Sequence, residues 1–398
     1  MASFTVRRAK HSPIPISAAQ GRTLAAAIRA VEDVPPFARS RVDGYAVVGR
    51  DVVGASKQNR IRLSVTGEVA MGAAPPGPIA PGQAMRIPTG GALPVGADAA
   101  VMIEDSEESD GVVTVTDAAE AFENVTMAGA DVRAGDMLFA PGTVMTPAKI
   151  GLLAGAGIGT IDAFEPPRVA LLLTGDELVA PGRPLRPGEI RDINRFSLAA
   201  ALTAMGFTPV EYAGVPDDLD AYTAAFARAL AQCDAVVISG GSSAGERDYT
   251  PEVVAAAGTP GVIVHHIRAK PGRPTLLGIV GDKPVIGLPG NPVSALVMLE
   301  TVGKPILLRM LDRCAVTLPR RAVLTRTIDV GEHLEHRIPV ALRRDDSGLH
   351  ADPLFGTSAQ MHILGFADAL VVVPLGTGRI EAGSVVDAFP LSTTVGDS

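Results

Sequence analysis

Hydrophobic runs and amphipathic stretches alternate along residues 168–311. Runs such as Arg168–Thr174 and Ala235–Ser239 are too short for helices and are typical of buried parallel strands. The stretch Asn194–Met205, with Asn194 as its cap and Gly206 after it, is typical of a helix. Repeated alternation predicts a doubly wound parallel α/β sheet, which binds ligands outside the carboxyl ends of its strands. Further strands are expected at Thr208–Ala213, Val262–Ile267, Thr275–Ile279 and Pro284–Gly287, and further helices at Asp218–Ala231, Tyr249–Ala257 and Pro292–Leu311, the last with a bend at Pro305.

The regions on either side follow other patterns. Short alternating runs separated by Gly/Pro clusters predict a small all-β unit between about residues 51 and 131. A second β unit, a barrel or a sandwich, is expected after about residue 317. Ser17–Ala30 predicts a helix with Ser17 as its N-cap. Pro147–Ala156 predicts a short helix with proline in its first position.

Composition and charge narrow the class of protein. The chain has 398 residues, 47% apolar and 20% charged, which predicts several globular domains. Its formal net charge of -8 argues against general nucleic-acid binding, although helix N-termini and local cations can still hold a small anion. The two cysteines form no disulfide or zinc pattern, which fits a reduced cytoplasm. The N-terminus lacks the apolar segment of a signal peptide, and no apolar run has the length of a membrane span.

Candidate chemistry lies in the loops that follow the predicted strands. Thr174–Glu177 places two carboxylates after the first strand, where they either cap a turn or help to hold Mg²⁺. Ser239–Gly245 exposes backbone amides that can form an anion-binding nest. This loop matches neither a Walker A loop nor GxGxxG, so a dinucleotide site has little support. Asp248 either caps the next helix or presents its carboxylate to a metal or a nucleotide.

Two further loops predict anion binding. Lys270 and Arg273 lie in a loop held by prolines, which favours oxyanion binding over simple solvation. In Gly287–Ser294, Asn291 fits an N-cap and Pro292 fits the first helical position. The free amides and the positive end of that helix dipole would then face the loop. A well-capped helix alone explains the Asn-Pro pair but not the Gly-Leu-Pro-Gly that precedes it.

Three further features are less specific from the residues alone. Pro88–Gly91 either offers a hydroxyl and backbone amides to an anion or forms a plain β-turn. Asp43-Gly44 is a turn signal before a new strand. Of His265 and His266, at most one would face any site, because neighbouring residues on a strand point to opposite faces. The histidines have no third clustered ligand type, which argues against a metal site built from them.

Together these segments resemble the molybdopterin molybdenumtransferase family, which includes MoeA and the E domain of gephyrin. The matching segments keep the family's order: VDGYAV, PTGGALPVGADAAVMIED, RVALLLTGDELVAPG, INRFSLAAALTAMG, VPDD, ISGGSSAGERDYT, AKPGRP and GLPGNPVSA. The resemblance implies a homodimer of four-part subunits. It also implies that molybdate is inserted into the dithiolene of adenylylated molybdopterin, with Mg²⁺-dependent loss of AMP. The implied parts are a discontinuous N-terminal domain (1–48 plus 132–166), an inserted β-rich domain (49–131), an α/β molybdopterin-binding domain (167–314) and a C-terminal β-barrel (315–398).

The resemblance assigns roles residue by residue, with the site between the α/β domain of one subunit and the β-rich domain of the other. Carboxylates would gather Mg²⁺ opposite the phosphate leaving group, and cations and amides would bind the pterin phosphate and the oxyanion. No side-chain nucleophile is required, because the dithiolate of the cofactor attacks the metal. Catalytic positions are Asp43, Thr89, Asp131, Glu177, Asp218 (or its neighbour Asp217) and Asp248, of which Asp43, Glu177 and Asp248 would hold Mg²⁺. Molybdopterin-binding positions are Thr174, Gly175, Asp176, Ser239, Gly240, Gly241, Ser242, Gly245, Lys270, Arg273, Pro289, Gly290, Asn291, Pro292 and Ser294.

The chain departs from the usual family residues at Val42, Ser242–Gly245, Arg273 and His362-Ile363. Two other functions therefore stay open: a divergent paralogue that acts on a pterin or a nucleotide, and a non-catalytic, gephyrin-like scaffold. The carboxylates of Asp43, Glu177 and Asp248 favour the enzyme, because a scaffold would not need them. The expected partners are a second copy of the chain, small anionic substrates, molybdopterin adenylyltransferase and apo-molybdoenzymes, with no nucleic acid and no membrane.

Overall fold

The computed structural model describes residues 5–216, 218–240 and 248–391. Strands and helices are numbered in chain order. In the first part, β1 pairs antiparallel with β12, so the chain returns to its own beginning after residue 131. Short two-stranded pairs, β2 with β11 and β3 with β10, complete this part. Its elements are β1 (His11–Pro15), β2 (Ile28–Arg29), β3 (Arg39–Ser40), β10 (Val125–Thr126), β11 (Met137–Phe139), α1 (Pro147–Gly155) and β12 (Thr160–Phe164).

The predicted helix over Ser17–Ala30, capped by Ser17, is wrong. Only one 3₁₀ turn forms there, at Ile16–Ala18. Beyond it the chain is extended, and the Leu24 amide donates to the Thr143 carbonyl at 2.9 Å. Leu24 is fully buried. Pairing with neighbouring strands satisfies the backbone and buries this side chain, and it overrides the helix propensity of the alanines. The helix at Pro147 is confirmed.

The β unit is a six-stranded sheet in the order β7-β4-β6-β5-β9-β8. Alternate residues of β4 and β6 enter two different apolar clusters, one on each face of the sheet. The chain passes from β7 to β8 through one 3₁₀ turn, Ile103–Asp105, although these are the two ends of the sheet order. The sheet therefore curls strongly. Its strands are β4 (Gly44–Val47), β5 (Ile61–Glu68), β6 (Gln83–Ile87), β7 (Ala99–Met102), β8 (Ser106–Ser109) and β9 (Val112–Val115).

The α/β part confirms the predicted fold class. Its six-stranded sheet has the order β16-β13-β17-β21-β20-β18, and helices cover both faces. Successive residues of β13 enter opposite cores, Leu171 beside α2 and Leu172 beside α3, as expected for a strand buried on both faces. Its elements are β13 (Arg168–Thr174), β14 (Leu178–Val179), β15 (Ile190–Arg191), α2 (Asn194–Ala204), β16 (Thr208–Val215), α3 (Leu219–Gln232), β17 (Ala235–Ser239), α4 (Thr250–Ala256), β18 (Pro260–His265), β20 (Leu276–Val280), β21 (Lys283–Leu288), α5 (Pro292–Met298) and α6 (Lys304–Leu307).

Two details of this part differ from the prediction. Strand β20 runs antiparallel to both of its neighbours, β21 and β18, so the sheet is mixed rather than wholly parallel. Only Gly281 and Asp282 separate β20 from β21, and a parallel connection needs a dozen residues or more. The long helix is broken near Pro305, as expected: a π turn, Leu299–Gly303, separates α5 from α6, because proline supplies no amide to the helix.

The C-terminal part is a closed β-barrel, which decides between the predicted barrel and sandwich. Its order is β24-β25-β22-β28-β26, and pairing of β24 with β26 closes it. The short strand β19 adds to β24 from the α/β part. No helix among the described residues has the length and apolar character of a membrane span. The elements are β19 (Ala269–Lys270), β22 (Arg320–Leu324), β23 (Ile328–Asp329), β24 (Glu335–Asp345), β25 (Gly348–Pro353), α7 (His362–Gly365), β26 (Ala369–Val373), β27 (Arg379–Ile380) and β28 (Val385–Pro390).

Candidate functional site

The carboxyl ends of three neighbouring parallel strands form the floor of the candidate site. In the sheet register, Leu173 of β13 lies opposite Ser239 of β17, and Ser239 lies opposite Leu288 of β21. The loops that begin at Thr174, Gly240 and Pro289 therefore leave the sheet side by side. This edge is where open α/β sheets bind ligands.

Asn194, at the start of α2, connects these loops. Its side-chain nitrogen donates to Ser239 Oγ at 2.8 Å and to the Gly290 carbonyl at 2.8 Å. The predicted capping role of Asn194 is wrong, because its side chain makes no capping bond. Asp192 caps the helix instead, by accepting from the Arg195 amide at 3.1 Å. Asn194 faces the sheet edge and belongs to the site, which its sequence pattern did not indicate.

Two buried oxygens in this floor have no partner among the described residues. They are Thr174 Oγ1 and Asn194 Oδ1. Thr174 is only 4% exposed, so bulk water does not compensate for the missing hydrogen bond. A buried polar atom without a partner costs free energy, and a bound ligand with a matching group removes that cost.

Gly240 packs against Thr174 so closely that no other residue fits. A Cβ on Gly240 would lie 2.5 Å from the Thr174 carbonyl oxygen and 2.6 Å from its Oγ1. The φ angle of Gly240 is +101°, which side chains rarely adopt. The glycine thus keeps open the space above Thr174. Three other predicted binding positions of this loop, Gly241, Ser242 and Gly245, lie outside the described residues, as does Asp217.

The carboxylate of Asp248 is held at one oxygen. Oδ1 accepts from the Thr250 amide at 3.1 Å, at the start of α4. Oδ2 lies 3.8 Å from His265 Nε2, in an ion-pair arrangement if the imidazole is protonated. The His265 and His266 rings stack with centroids 4.1 Å apart. The expectation that they face opposite ways is therefore wrong, because β18 ends at His265 and His266 adopts a φ of +67°.

Glu177 and Asp176 are exposed in the turn after β13. The Glu177 carboxylate lies against Gly175, with Oε2 2.9 Å from where a Cβ of that glycine would be. The described residues contain no group of three or more His, Cys, Asp or Glu side chains arranged for a metal. Mg²⁺ needs only one or two protein carboxylates beside substrate phosphates, and Glu177 and Asp248 follow the adjacent strands β13 and β17.

The cationic loop joins the α/β part to the barrel. Lys270 lies on β19, opposite His336 of β24, and both Lys270 and Arg273 are exposed. Thr275 Oγ1 donates to the Gly272 carbonyl at 2.6 Å, which fixes the loop between the two cations. Both charges therefore remain available to an anion.

The start of α5 is less open than its sequence predicts. The Val293 amide donates to the carbonyl of Ser358, a residue of the C-terminal part, at 3.1 Å. Asn291 sits at the N-cap position, but its side chain donates to Ser358 Oγ at 3.0 Å instead of capping. Pro289 and Ser294 are buried beside this contact. A loop of the C-terminal part thus meets the site floor at Ser358, which no motif had indicated.

Asp43 and Thr89 lie together in the β unit. The Thr89 amide donates to Asp43 Oδ1 at 2.8 Å. The Gly90 amide donates to the Ser40 carbonyl and the Gly91 amide to the Pro88 carbonyl, both at 2.8 Å. The predicted offer of free amides to an anion is therefore wrong, and the alternative β-turn is correct. The exposed Asp43 carboxylate and Thr89 hydroxyl are the groups left for a ligand.

Two predicted carboxylates lie apart from these contacts. Asp131 is exposed, and its amide donates to the Val34 carbonyl at 2.9 Å. Asp218 Oδ1 accepts from the Ala221 amide at 2.9 Å and caps α3. This cap accounts for Asp218 structurally without a ligand.

Three family models together match most of the chain. They describe the MoeA N-terminal region, domains I and II, over residues 2–157, a probable molybdopterin binding domain over residues 170–309, and the MoeA C-terminal region, domain IV, over residues 321–391. The regions matched by the last two models contact each other at Ser358 and the start of α5, and through the pairing of β19 with β24.

The chain is also similar over most of its length to named proteins. A molybdopterin molybdenumtransferase of Mycobacterium tuberculosis is 32% identical, over 97% of this chain and 96% of the relative. That of Bacillus subtilis is 31% identical, over 92% of this chain and 87% of the relative. Among solved structures, the molybdopterin biosynthesis MoeA protein of Pyrococcus horikosii superposes with a TM-score of 0.84 at 33% identity, covering 98% of this chain and 96% of that one.

Proposed function

Because the chain belongs to the molybdopterin molybdenumtransferase family and is a transferase of molybdenum cofactor biosynthesis, we propose that it inserts molybdate into adenylylated molybdopterin. AMP leaves in this reaction, which depends on Mg²⁺. The observation that carries the proposal is the pair of buried, unpartnered oxygens of Thr174 and Asn194 at the floor of the site. In a scaffold that binds no small ligand, these two oxygens would destabilise the fold, and no bound group would compensate.

Each of these oxygens selects a type of ligand group. The side-chain nitrogen of Asn194 is already bonded to Ser239 and Gly290. Its Oδ1 is a carbonyl oxygen, so it accepts from an N–H or O–H of the ligand. The Thr174 hydroxyl can donate to a phosphate oxygen or accept from a ring N–H. A pterin with a phosphate side chain carries both kinds of group.

The charged side chains of the site have two roles: the cations bind oxyanions and the carboxylates hold Mg²⁺. Lys270 and Arg273 bind phosphate or molybdate oxygens, and the planar guanidinium of Arg273 can engage two of them at once. Glu177 and Asp248 would hold Mg²⁺, with Asp43 as a third carboxylate supplied by the β unit. When bound, Mg²⁺ offsets the negative charge that develops on the phosphate leaving group.

We further propose that two subunits build each site. Asp43 and Thr89 lie in the β unit, and within the described residues no hydrogen bond or ion pair joins their loop to Thr174–Glu177. A homodimer in which the β unit of one subunit covers the α/β part of the other brings the two groups together. The protein would act in the cytoplasm, between molybdopterin adenylyltransferase and apo-molybdoenzymes.

One assay separates this function from its alternatives. The purified protein is incubated with adenylylated molybdopterin, Mg²⁺ and molybdate, and both AMP release and reconstitution of an apo-molybdoenzyme are measured. Both products are expected. AMP without reconstitution would indicate the divergent paralogue, and neither product with intact partner binding would indicate the scaffold.

The Asp248→Ala variant tests the carboxylate. We expect the variant to stay folded, with a loss of about 1 kcal/mol for the missing bond to the Thr250 amide, and AMP release to fall about 10²-fold or more, because a charge-stabilising group is removed. Glu252→Ala, on the exposed side of α4, is the matched control and should retain full activity. Unchanged turnover in Asp248→Ala would remove this residue from the site.

A further inference from the structure

Three polar side chains tie the strands together just beneath the contact between Asp43 and Thr89. The Tyr45 hydroxyl donates to Glu108 Oε2 at 2.6 Å. Arg86 donates through Nε to the same oxygen at 2.7 Å, and through Nη2 to Oε1. The Glu108 carboxylate on β8 therefore accepts two hydrogen bonds from Arg86 of β6 and a third from Tyr45 of β4. The ion pair holds the pKa of Glu108 below its usual range.

The register of β4 and β6 places this cluster directly next to the predicted catalytic loops. Tyr45 lies opposite Arg86, and Gly44 lies opposite Ile87, so Asp43 and Thr89 follow just beyond the last pair. Asp43 directly precedes the first residue of β4 and lies in a bend, so its backbone is next to this end of the strand.

The cluster is the polar end of an otherwise apolar core. Tyr45 belongs to the same buried group as Val47, Leu63 and Val101, and it is only 5% exposed. Burial and the neighbouring carboxylate raise its pKa, so the hydroxyl keeps its proton and stays a donor. In the sheet order, β5 and β9 separate β6 from β8, so the Arg86–Glu108 bond spans the curl of the sheet.

Apolar packing would fill this space but would not fix the spacing of the strands as narrowly. Charge-assisted and bidentate bonds are short and directional. Gly44, between Tyr45 and Asp43, lets β4 approach β7 so closely that a Cβ would collide with the Val101 carbonyl. The strand that carries Asp43 is thus held from both sides, by close backbone contact with β7 and by the cluster.

We propose that Tyr45, Arg86 and Glu108 are positioning residues that set the geometry of the Asp43 carboxylate and the Thr89 loop. The inference rests on the proposed function only in taking Asp43 and Thr89 as catalytic. Its structural content is that the bond between the Thr89 amide and Asp43 depends on a cluster that makes no hydrogen bond to either residue.

The NMR resonance of the Thr89 amide measures directly whether its bond to Asp43 depends on the cluster. In deuterated protein labelled with ¹⁵N-threonine, its resonance is identified by its disappearance in Thr89→Ser. We expect Glu108→Gln and Tyr45→Phe to move this resonance and to lower kcat for AMP release about fivefold to tenfold, with KM changed less than about twofold. Glu107→Gln is the matched control: it is the adjacent residue on β8, and it pairs with exposed Arg60 at 3.2 Å on the other face.

The outcomes separate this inference from the proposed function. If the Thr89 resonance stays in place in both Glu108→Gln and Tyr45→Phe, the positioning role is overturned, whatever the activity. If wild-type protein releases no AMP but the resonance moves, the proposed function fails and the structural coupling stands. Should Glu108→Gln not fold, Tyr45→Phe, which removes a single hydroxyl, decides the question alone.

Discussion

The residue that most clearly distinguishes a binding site from a well-built core is Thr174. Another buried threonine of the same domain, Thr250, bonds to the Tyr222 hydroxyl at 3.0 Å, whereas Thr174 Oγ1 has no partner among the described residues. Folding satisfies the Thr250 hydroxyl and leaves the Thr174 hydroxyl without a protein partner. The same contrast holds within Asn194, whose nitrogen is bonded and whose oxygen is not.

Replacement of these two threonines by valine should give opposite results. Thr174→Val removes an unsatisfied hydroxyl, so we expect no loss of unfolding free energy, or a gain of up to about 1 kcal/mol, together with weaker molybdopterin binding. Thr250→Val leaves the buried Tyr222 hydroxyl unpaired and should cost about 1–3 kcal/mol. Urea unfolding and molybdopterin titration check both. Equal destabilisation by the two variants would show that Thr174 is satisfied within the fold.

At the scale of elements, strands deliver the site residues and glycines set how closely the loops approach. The loop after β17 reaches the Thr174 carbonyl only because Gly240 has no side chain. The loop after β21 joins the C-terminal part through Ser358. Loop positions of this kind depend on which element lies across from them, and no run of residues in one loop contains that information.

Substitutions at two glycines with positive φ test whether the close approach of Gly240 to Thr174 matters for stability. Gly240→Ala should be destabilising by about 2–4 kcal/mol, because the added Cβ meets the backbone and hydroxyl of Thr174. Gly281→Ala, where φ is +64° and nothing lies within 4 Å, should cost only about 1 kcal/mol for its backbone conformation. Unfolding midpoints in urea give both values. A cost for Gly240→Ala as small as that for Gly281→Ala would mean that the loop can move away freely.

The Asp345 carboxylate, at the turn between β24 and β25, should make the stability of the fold depend on pH. The hydroxyl and amide of Ser347, with a contribution from His350, lower the pKa of Asp345 to about 2 from an ordinary 3.8. Since the folded pKa is the lower one, this carboxylate stabilises the fold above about pH 4, and the contribution is lost as the pH falls towards 2. We expect Asp345→Asn to lower the urea midpoint at pH 6 and to differ less from wild type at pH 3. A difference independent of pH would contradict the assignment.

At the scale of the whole molecule, the two groups of predicted catalytic residues belong to different parts of the chain. Asp43 and Thr89 lie at the end of β4 and β6, and Glu177 and Asp248 lie beyond β13 and β17. If two subunits build each site, inactive variants from the two groups can complement each other. Mixed dimers of Asp43→Asn and Asp248→Asn would contain one site with both substitutions and one site with neither.

Co-refolded Asp43→Asn and Asp248→Asn subunits should therefore recover about a quarter of wild-type activity, since half of the dimers are mixed and each has one intact site. Asp43→Asn mixed with the Asp43→Asn/Asp248→Asn double variant is the control and should stay inactive. AMP release by each mixture is the measurement. No recovery in mixed dimers that are shown to form would place both groups of residues within one subunit.

The sequence by itself determined the parts of this protein that depend on near neighbours along the chain. The runs Arg168–Thr174 and Ala235–Ser239 predicted their strands to the residue, and Pro147 marked the start of its helix. The family resemblance, which is confirmed, rests on motifs of the same local kind. Such features follow from side-chain periodicity and from backbone restrictions of proline and glycine, which act within a few residues.

Only the tertiary structure decided which polar groups remain free. The amides of Thr89, Gly90 and Gly91 looked open to an anion, but they donate to the Asp43 carboxylate and to the carbonyls of Ser40 and Pro88. The start of α5 is partly closed by Ser358, and the alanine-rich segment before residue 30 pairs as extended chain. A hydrogen bond needs a partner, and apart from Pro88 the partners here lie tens of residues or more away along the chain. The lack of a partner for Thr174 Oγ1 and Asn194 Oδ1 is therefore visible only in the tertiary structure.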